Sequence, residues 1–594
     1  MIIFSEKEIL KRKELIMIRT LSKSIREYKM PSILSPVFVA MEVVFECIIP
    51  LVMASLIDHM NGSSMKPILY DGLILIGLSM CSLFCGRMAA IEAAKASCGF
   101  AKNLRFDMFS NIQSLSFQDI DKFSTSSLVT RMTTDVTNVQ NAYGQIIRGL
   151  VRAPLMIIFS IVMALGINAK MSLIFIFILP VLAFVLIGIT LIVHPIFVRI
   201  FHKYDAMNDS VQENVNGIRV VKSFVREDYE INKFDKRSED IRVDFTRVEK
   251  ILAINMPVMT LAIDLAMLLV SMIGSNIIIK SHAADLTTGE LSSLITYGIQ
   301  ILVSMMMVSM VFVMVIISEE SAHRIAEVLE YKSTLTSPQN GIKEVADGDI
   351  EFDHVSFSYS KKAKKNALSD ISLHIPSGST LGIIGGTGSS KSTMIQLISR
   401  LYDATEGSVK VGGIDVRDYD LDSLRDQVSV VLQKNVLFSG TIIDNMRWGN
   451  PAAGIDEIKH ACALAQADEF ISQMPKGYET YIERGGSNVS GGQKQRLCIA
   501  RAILKKPKVL IFDDSTSAVD TKTDALIRKG LNDAIPDTTK IIIAQRISSV
   551  QDCDRIIVLD KGRIAESGTH DELIRKNGIY REIFESQTGK EAEA

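Results

Sequence analysis

The residues that decide the fold of the C-terminal half read Thr380-Leu381-Gly382-Ile383-Ile384-Gly385-Gly386-Thr387-Gly388-Ser389-Ser390-Lys391-Ser392-Thr393. A short apolar strand pattern leads into a glycine-rich loop, and a helical pattern follows the loop. Backbone N–H groups of such a loop point at one spot near a helix N-terminus, where the helix dipole adds positive potential. The stretch therefore predicts a polyphosphate site, in which Lys391 reaches the outer phosphates and the Ser392 hydroxyl holds Mg²⁺.

A second apolar run, from Val509 to Phe512, ends in Asp513-Asp514. A buried strand that carries a carboxylate at its tip supplies the ligand that a phosphate-bound Mg²⁺ needs. Asp513 is therefore predicted to bind Mg²⁺. The phosphate loop itself departs from the pattern G-x-x-x-x-G-K-[ST] at one position, because Ser390 stands where the pattern has glycine.

The composition indicates a membrane half joined to a soluble half. The 594 residues are too many for one core, and 47% hydrophobic residues stand beside 22% charged ones. A net charge of −2 gives no basic footprint, so no nucleic-acid partner is expected. The seven cysteines lack metal-ligand spacing. The N-terminus is basic and carries no cleavable signal peptide, which predicts a cytoplasmic N-terminus.

Six apolar stretches before residue 320 are long enough to cross a bilayer as helices. They lie near Ile33–Leu56, Leu73–Ile91, Ile146–Ile167, Leu173–Ile192, Ile251–Ile279 and Leu291–Ile317. The loops after the second and fourth stretches are long and basic, so both loops and both termini are predicted to face the cytoplasm. The predicted domains are an N-terminal segment 1–32, a membrane domain 33–330, a linker 331–349, a nucleotide-binding domain 350–585 and a tail 586–594.

Ionisable residues inside the predicted spans are candidates for substrate binding. Glu42 and Glu46 lie four residues apart on the first span, and Asp264 lies in the middle of the fifth. Arg148 and Arg152 form a similar pair on the third. Two interpretations stay open: these groups pair with one another and fix the helix packing, or the carboxylates bind cationic substrates.

The sixth span is rich in methionine and includes Met306 and Met310. Flexible, polarizable thioethers suit a surface that accepts varied apolar ligands, and they suit ordinary helix packing equally well. Both residues are candidates for the substrate site.

A third motif, Ser490-Gly491-Gly492-Gln493, opens a helical pattern that ends near Leu504. The phosphate loop, this motif and the strand that ends in aspartate, in this order and spacing, resemble the nucleotide-binding domain of ABC transporters. Six spans ahead of them, with Val221-Lys222-Ser223-Phe224 in the second long loop, resemble a half-transporter of the exporter type. The implied fold class is a six-helix, all-α membrane domain fused to an α/β P-loop ATPase domain.

The resemblance implies ATP and Mg²⁺ as cofactors. ATP would contact Gly385, Gly386, Thr387, Gly388, Ser389, Ser390, Lys391, Ser392 and Thr393. Tyr359 would stack on adenine, and Gln433 would join Ser392 and Asp513 at the metal. In the family the Ser490–Gln493 segment caps the nucleotide held by the other subunit, Glu483 lies in a loop that touches the long-loop helices, and the stretch 517–520 signals between the two sites.

Three positions depart from the family pattern. The catalytic glutamate is replaced by Asp514, the switch histidine by Gln545, and a loop glycine by Ser390. A glutamine cannot become a cation, and a shorter carboxylate is displaced from the attacking water. The chain thus resembles the degenerate-site subunit of heterodimeric bacterial multidrug exporters, and its partner is expected to be a second, non-identical half-transporter in a bacterial plasma membrane. Export of a specific peptide or lipid, and a nucleotide-gated channel or regulatory subunit, stay open as alternatives.

Overall fold

The structure is a computed structural model that describes residues 6–60, 64–360, 365–515 and 519–591. The described residues form two compact units. The first contains the chain up to Ser114 together with Phe123–Lys332, and the second contains Leu115–Lys122 together with the chain from Ser333 onward. The short segment Leu115–Lys122 therefore belongs to the second unit although it lies within the first unit's stretch of sequence.

The first unit is all-helical. In chain order up to residue 330 the helices are α1 Glu6–Ser22, α2 Lys29–Met60, α3 Met65–Ser114, α4 Phe117–Phe123, α5 Thr125–Thr130, α6 Val136–Ile167, α7 Ala169–Asn216, α8 Ile218–Ser223, α9 Glu227–Leu252, α10 Asn255–Ser281 and α11 Thr288–Glu330, and of these α4 belongs to the second unit except for its last residue. Among the described residues, six helical stretches are long and apolar enough to span a membrane: Glu14–Met60, Met65–Ser114, Thr125–Ile167, Ala169–Phe197, Glu227–Ser281 and Thr288–Glu330. The six predicted spans are confirmed.

Helices α2 and α11 are tied together where α11 begins. The Asp58 carboxylate at the end of α2 accepts hydrogen bonds from the Thr287 hydroxyl at 2.6 Å and the Gly289 N–H at 3.0 Å. Gly289 lies so close to α2 that a Cβ atom added to it would stand 2.1 Å from the Ala54 carbonyl oxygen. Only glycine permits this approach of the two backbones.

The second unit contains two main sheets and a short two-stranded one. The strands are β1 Ile350–Phe357, β2 Leu368–Ile375, β3 Thr380–Gly385, β4 Glu406–Val411, β5 Ile414–Asp415, β6 Val428–Val431, β7 Gly440–Thr441, β8 Tyr481–Ile482, β9 Val509–Asp513, β10 Thr539–Ile543, β11 Arg555–Asp560 and β12 Arg563–Gly568. The helices are α12 Lys391–Ile398, α13 Leu421–Gln427, α14 Ile442–Met446, α15 Ile455–Leu464, α16 Asp468–Ser472, α17 Gly491–Leu504, α18 Thr521–Ala534, α19 His570–Arg575 and α20 Ile579–Glu591.

The core sheet has six strands in the order β12-β11-β3-β10-β9-β6, and only the edge strand β12 runs antiparallel to its neighbour. Every residue of β9 and β10 is buried, as expected of parallel strands that helices cover on both faces. The mainly parallel α/β core predicted from the sequence is confirmed. In this register Ile543 pairs with Asp513, so β3, β9 and β10 bring the phosphate loop, Asp513 and Gln545 to the same sheet edge.

A four-stranded antiparallel sheet, in the order β2-β1-β4-β5, was not distinguished in the sequence. The sequence suggested two strand patterns, one ending near Phe352 and the next beginning near Val355. The structure has one strand, β1, whose register shifts between these two residues. His354 has a φ of 47° there, so a bulge interrupts the strand and accounts for the break in the apolar pattern.

Candidate nucleotide site and membrane cavity

The phosphate loop connects β3 to α12, which begins at Lys391. Ser390, the residue before the helix, has a φ of 74°, in the left-handed region that favours glycine. A non-glycine residue in this region costs about 1–2 kcal/mol. The backbone shape that the family obtains with glycine is therefore kept here with a serine, at an energetic cost.

The Lys391 ammonium lies over the loop. Its Nζ donates to the carbonyl oxygens of Gly385 at 2.8 Å and Gly386 at 3.0 Å, and it lies 3.4 Å from the Ser389 hydroxyl. The side chain is half-buried, and this burial lowers the pKa of the Lys391 ammonium. A buried cation held by carbonyl oxygens is well placed to receive phosphate oxygens.

The predicted magnesium residues lie together. The Ser392 hydroxyl donates to Asp513 Oδ1 at 3.0 Å. Burial raises the pKa of the Asp513 carboxyl, and the neighbouring Asp514 acts in the same direction. Hydroxyl and carboxylate oxygens are hard donors that fit Mg²⁺. Ser392 and Asp513 would supply two oxygen ligands, and Mg²⁺ bound to a nucleotide takes further ligands from phosphate oxygens and water.

Asp514 and Gln545, the two residues predicted at the catalytic positions, are joined by a hydrogen bond. Gln545 Nε2 donates to Asp514 Oδ2 at 2.7 Å, and Gln433 Nε2 donates to the same oxygen at 3.2 Å. Asp514 is buried and has a φ of 49°. Two amide groups thus converge on one carboxylate oxygen of Asp514.

A cavity of about 450 Å³ collects most of the predicted nucleotide residues. It is lined by Ile384, Gly385, Gly386, Thr387, Gly388, Ser390, Lys391, Ser392, Thr393, Gln433, Asp513, Asp514, Ile543, Gln545 and Ile583. Ser389 is buried beneath the loop instead. Tyr359 lies beside the loop, where its hydroxyl is 2.9 Å from Thr393 Oγ1 and its side chain is exposed. Its stacking on adenine stays a prediction.

The residues of the Ser490–Gln493 motif do not line this cavity. Ser490 caps α17: its hydroxyl accepts from the Gln493 N–H at 3.3 Å, and its own N–H donates to Gln493 Oε1 at 3.0 Å. Ser490 is exposed, so the start of this helix is accessible. Glu483 accepts from the Ser487 hydroxyl at 2.8 Å. Of the predicted signalling stretch 517–520, residues 517 and 518 lie outside the described residues, and Asp520 caps α18.

Two residues of α20 at the nucleotide site were missed in the sequence. Ile583 lines the cavity. Gln587 Nε2 donates to the Gln545 carbonyl at 2.8 Å, and Gln587 Oε1 accepts from the Ile547 N–H at 2.9 Å. One side chain thereby holds the backbone on both sides of residue 546. A glutamine near the end of a polar helix carries no sequence signal for such a role, since the contact depends on the tertiary fold.

The first unit has a second, larger cavity, of about 1080 Å³, and it contains Glu42 and Glu46. Arg152 donates to Glu42 Oε1 at 2.5 Å and to Glu46 Oε2 at 2.7 Å. The pairing interpretation therefore describes the contacts of these carboxylates. Asp264 is exposed on α10 and does not line the cavity.

The methionines of α11 face in different directions. Met306 is partly buried against the core of the helical bundle, and Met310 is exposed. Neither lines the cavity, whereas Met307 and Met314 do. Successive helix positions differ by about 100°, so a continuous run of methionines cannot indicate which of them faces the cavity.

Comparison with known proteins finds one matching family model in the membrane half of the chain and another in the C-terminal half. The family model for the ABC transporter transmembrane region matches residues 32–315, and the ABC transporter model matches residues 368–517. The chain is 34% identical to the uncharacterized ABC transporter ATP-binding protein YfiB of Bacillus subtilis, over 96% of this chain and 98% of that protein. It is also 34% identical to the probable multidrug resistance ABC transporter ATP-binding/permease protein YheI of the same organism, over 82% of this chain and 83% of that protein.

Two further similarities concern a flippase and a solved structure. The chain is 31% identical to the ATP-dependent lipid A-core flippase of Desulfotalea psychrophila, over 84% of this chain and 86% of that protein. Its fold is similar to that of a bacterial Atm1-family ABC exporter solved with ATP bound, with a TM-score of 0.82 and 24% identity over 95% of this chain and 98% of that one.

Proposed function

This chain belongs to the ABC transporter family as a half-transporter of the exporter type, and on that premise we propose that it is one half of a heterodimeric exporter of amphiphilic small molecules, with an ATP site of its own that hydrolyses slowly. ATP-driven export across a membrane is the activity of the family. Beyond this activity, we propose that the partner is a different half-transporter, that the ATP site of this chain is weak, and that the substrates are amphiphiles.

The observation that carries the proposal is the pair of amides on Asp514. A general base must have a lone pair within hydrogen-bond reach of the attacking water. Here Asp514 Oδ2 is occupied by Gln545 at 2.7 Å and by Gln433 at 3.2 Å. The side chain is also one methylene shorter than the family's glutamate, which retracts the carboxylate by about 1 Å and is able to lower the rate on the order of 10²-fold. Binding of ATP requires neither group.

The binding residues remain suited to Mg-ATP. Lys391 would hold the outer phosphates, and the N–H groups at the start of α12 would add hydrogen bonds. Ser392 and Asp513 would hold Mg²⁺, with Gln433 beside them. Mg²⁺ bound there would neutralise part of the charge on the phosphate oxygens. The site would therefore bind nucleotide and retain it.

The exposed start of α17 supports a second chain. Ser490 and the two glycines after it present a helix N-terminus with no bulky side chain, suited to a phosphate. Because the segment is absent from the wall of its own cavity, it would cap a nucleotide bound to a partner. A partner with glutamate and histidine at the altered positions would make that shared site competent. Two copies of this chain would combine two weak sites.

The similarity to a probable multidrug resistance transporter supports varied amphiphiles as substrates. A second candidate, export of one lipid, is favoured by the similarity to a lipid A-core flippase. The membrane cavity of about 1080 Å³, with apolar and polar walls, is large enough for either. The basic residues of the long loops support an orientation with both termini in the cytoplasm, and the bacterial relatives support a bacterial plasma membrane.

The test compares the chain alone with the chain co-purified with a second half-transporter, both in lipid nanodiscs. We expect the chain alone to bind Mg-ATP but to hydrolyse it about 10²-fold more slowly than the pair. Asp513→Asn, which removes the metal carboxylate, should abolish nucleotide binding by the chain alone. Vigorous hydrolysis by the chain alone, lost on Ser490→Ala, would contradict the heterodimer. Uphill, ATP-dependent accumulation in inverted vesicles would distinguish a pump from a channel.

A further inference from the structure

The membrane cavity is lined by four charged side chains: Glu42, Glu46, Arg148 and Arg152. Three of them are bound to one another. Arg152 donates to Glu42 at 2.5 Å and to both oxygens of Glu46 at 2.7 and 2.8 Å. The side chains of Glu42, Glu46 and Arg152 are 10%, 25% and 23% exposed. This trio is part of the helix packing between α2 and α6.

Glu42 is the most enclosed of the three. Its Oε2 is buried with no hydrogen-bond partner among the described residues. A Cβ atom added to Gly86 on α3 would lie 2.7 Å from Glu42 Oε1, so the carboxylate fits against bare backbone. A cationic ligand that paired with these carboxylates would compete with Arg152, and a partly buried arginine that loses its partners is unfavourable.

Arg148 differs from the trio. It lies one helical turn before Arg152 on α6, so both face the cavity. It is exposed, and no described residue forms a hydrogen bond or ion pair with its guanidinium. Arg148 is therefore the charge that a ligand in this half of the cavity meets first, and it is positive.

The rest of the wall suits an amphiphile. Gln140, Gln145 and Gln300 contribute amides, while alanine, valine, isoleucine and methionine side chains supply apolar surface. A volume of about 1080 Å³ is at the upper end for small-molecule sites, which leaves room for a head group and part of an alkyl chain.

We propose that Arg148 binds the anionic head group of the substrate, so that this half of the cavity selects amphiphiles carrying a carboxylate or phosphate over cationic ones. The inference rests on the proposed export of amphiphiles and names their charge class. A guanidinium in a partly enclosed site forms charge-assisted, bidentate hydrogen bonds with both of these anions.

The experiment uses the full-length chain with its partner half in phosphatidylcholine nanodiscs. The probes are three dansyl-labelled dodecyl chains that end in a carboxylate, an amide or a trimethylammonium group, and dansyl fluorescence reports binding. A hydrogen-bonded charge pair predicts roughly tenfold tighter binding of the carboxylate than of the other two. Arg148→Gln should remove that preference and leave the amide probe unchanged, while Arg148→Lys should retain part of it.

Arg87→Gln is the matched control, because Arg87 is an exposed arginine on α3 that does not line the cavity. Thermal unfolding of each variant verifies that the fold is intact. Equal binding of all three probes by the wild type, or an equal loss of all three in Arg148→Gln, would overturn the role of Arg148 and leave amphiphile export standing. Failure of every probe to bind and to stimulate ATP hydrolysis would overturn both proposals.

Discussion

The nucleotide cavity and the start of α17 belong to the same domain, yet they differ in how far they follow the family pattern. In the cavity, Ser390, Asp514 and Gln545 stand where the resemblance to the family implies a glycine, a glutamate and a histidine. At α17 the Ser490–Gln493 motif is complete, and its capping hydrogen bonds are formed.

The difference suggests a division of labour between two chains. The altered residues of the cavity contact one another, since Gln545 donates to Asp514 at 2.7 Å. The unaltered start of α17 is exposed and contacts none of them. Under the proposed function, this chain would hold one nucleotide at its own phosphate loop and would complete the partner's site with its capping motif.

The largest effect is expected from Ser490→Ala in the heterodimer. The variant removes the hydroxyl that would contact the partner's nucleotide, and loss of one such contact to a developing charge lowers turnover by roughly 10²-fold. ATP hydrolysis by the purified pair is the measurement. Thr569→Ala is the matched control, because Thr569 caps α19 with the same reciprocal hydrogen bonds away from the nucleotide cavity. Similar losses in both variants would mean that capping alone explains the effect.

Restoring the family residues in the nucleotide cavity should change ATP hydrolysis by a smaller factor, and it should require both Asp514→Glu and Gln545→His. In Asp514→Glu the Gln545 amide can still bind the longer carboxylate, and in Gln545→His the carboxylate remains short. We therefore expect each single variant to change hydrolysis by the chain alone less than about threefold, and the double variant to raise it by about tenfold or more. Additive single effects would contradict the coupling between these residues.

Gln587→Ala tests whether α20 positions Gln545. The variant removes two neutral hydrogen bonds to the backbone around Gln545, and a net contribution of about 1 kcal/mol predicts roughly fivefold weaker retention of Mg-ATP. Thr588→Ala, whose hydroxyl bonds only within α20, is the control. The effect should disappear in a Gln545→Ala background. An equal effect in that background would mean that Gln587 contributes to the stability of the fold and does not position Gln545.

The smallest effect concerns Asp513 and pH. Burial raises the pKa of the Asp513 carboxyl above the ordinary aspartate value of about 3.9. The unfolded chain then loses this proton at a lower pH than the folded chain, so folded-state stability falls as pH rises between the two pKa values and stays lowered above the folded one.

Asp513→Asn should therefore raise the unfolding temperature of the nucleotide-free protein at pH 7, and the gain should vanish at low pH. Asp533→Asn, at an exposed position, is the matched control. A gain of equal size at every pH would exclude ionisation of Asp513 as its cause.

Much of the fold could be predicted from the sequence, because apolar patterns that extend over many residues determine it. The six apolar stretches predicted six spans. The apolar strands that end in glycine and aspartate predicted the core sheet and the edge of the sheet at which the phosphate loop and Asp513 lie. The antiparallel sheet was less visible, since the bulge at His354 divides one strand into two short patterns.

The contacts of the sites were harder to predict. Gln587 reaches Gln545 across 42 residues of sequence, and no local pattern encodes that distance. Asp264 is a candidate for substrate binding because it is charged within a predicted span, and in the structure its side chain is exposed on α10. Glu42 and Glu46 share a helix face as their spacing indicated, but their common partner, Arg152, follows only from how α2 and α6 pack.

The approach of Gly289 to Ala54 has a mechanical consequence for this half of the transporter. The two backbones are in contact here, and Asp58 accepts hydrogen bonds from Thr287 and Gly289 at the start of α11. The first and sixth spans therefore cannot slide past each other at this end without breaking these two hydrogen bonds. A movement that separates the first and sixth spans at this end would likewise have to break both hydrogen bonds of Asp58.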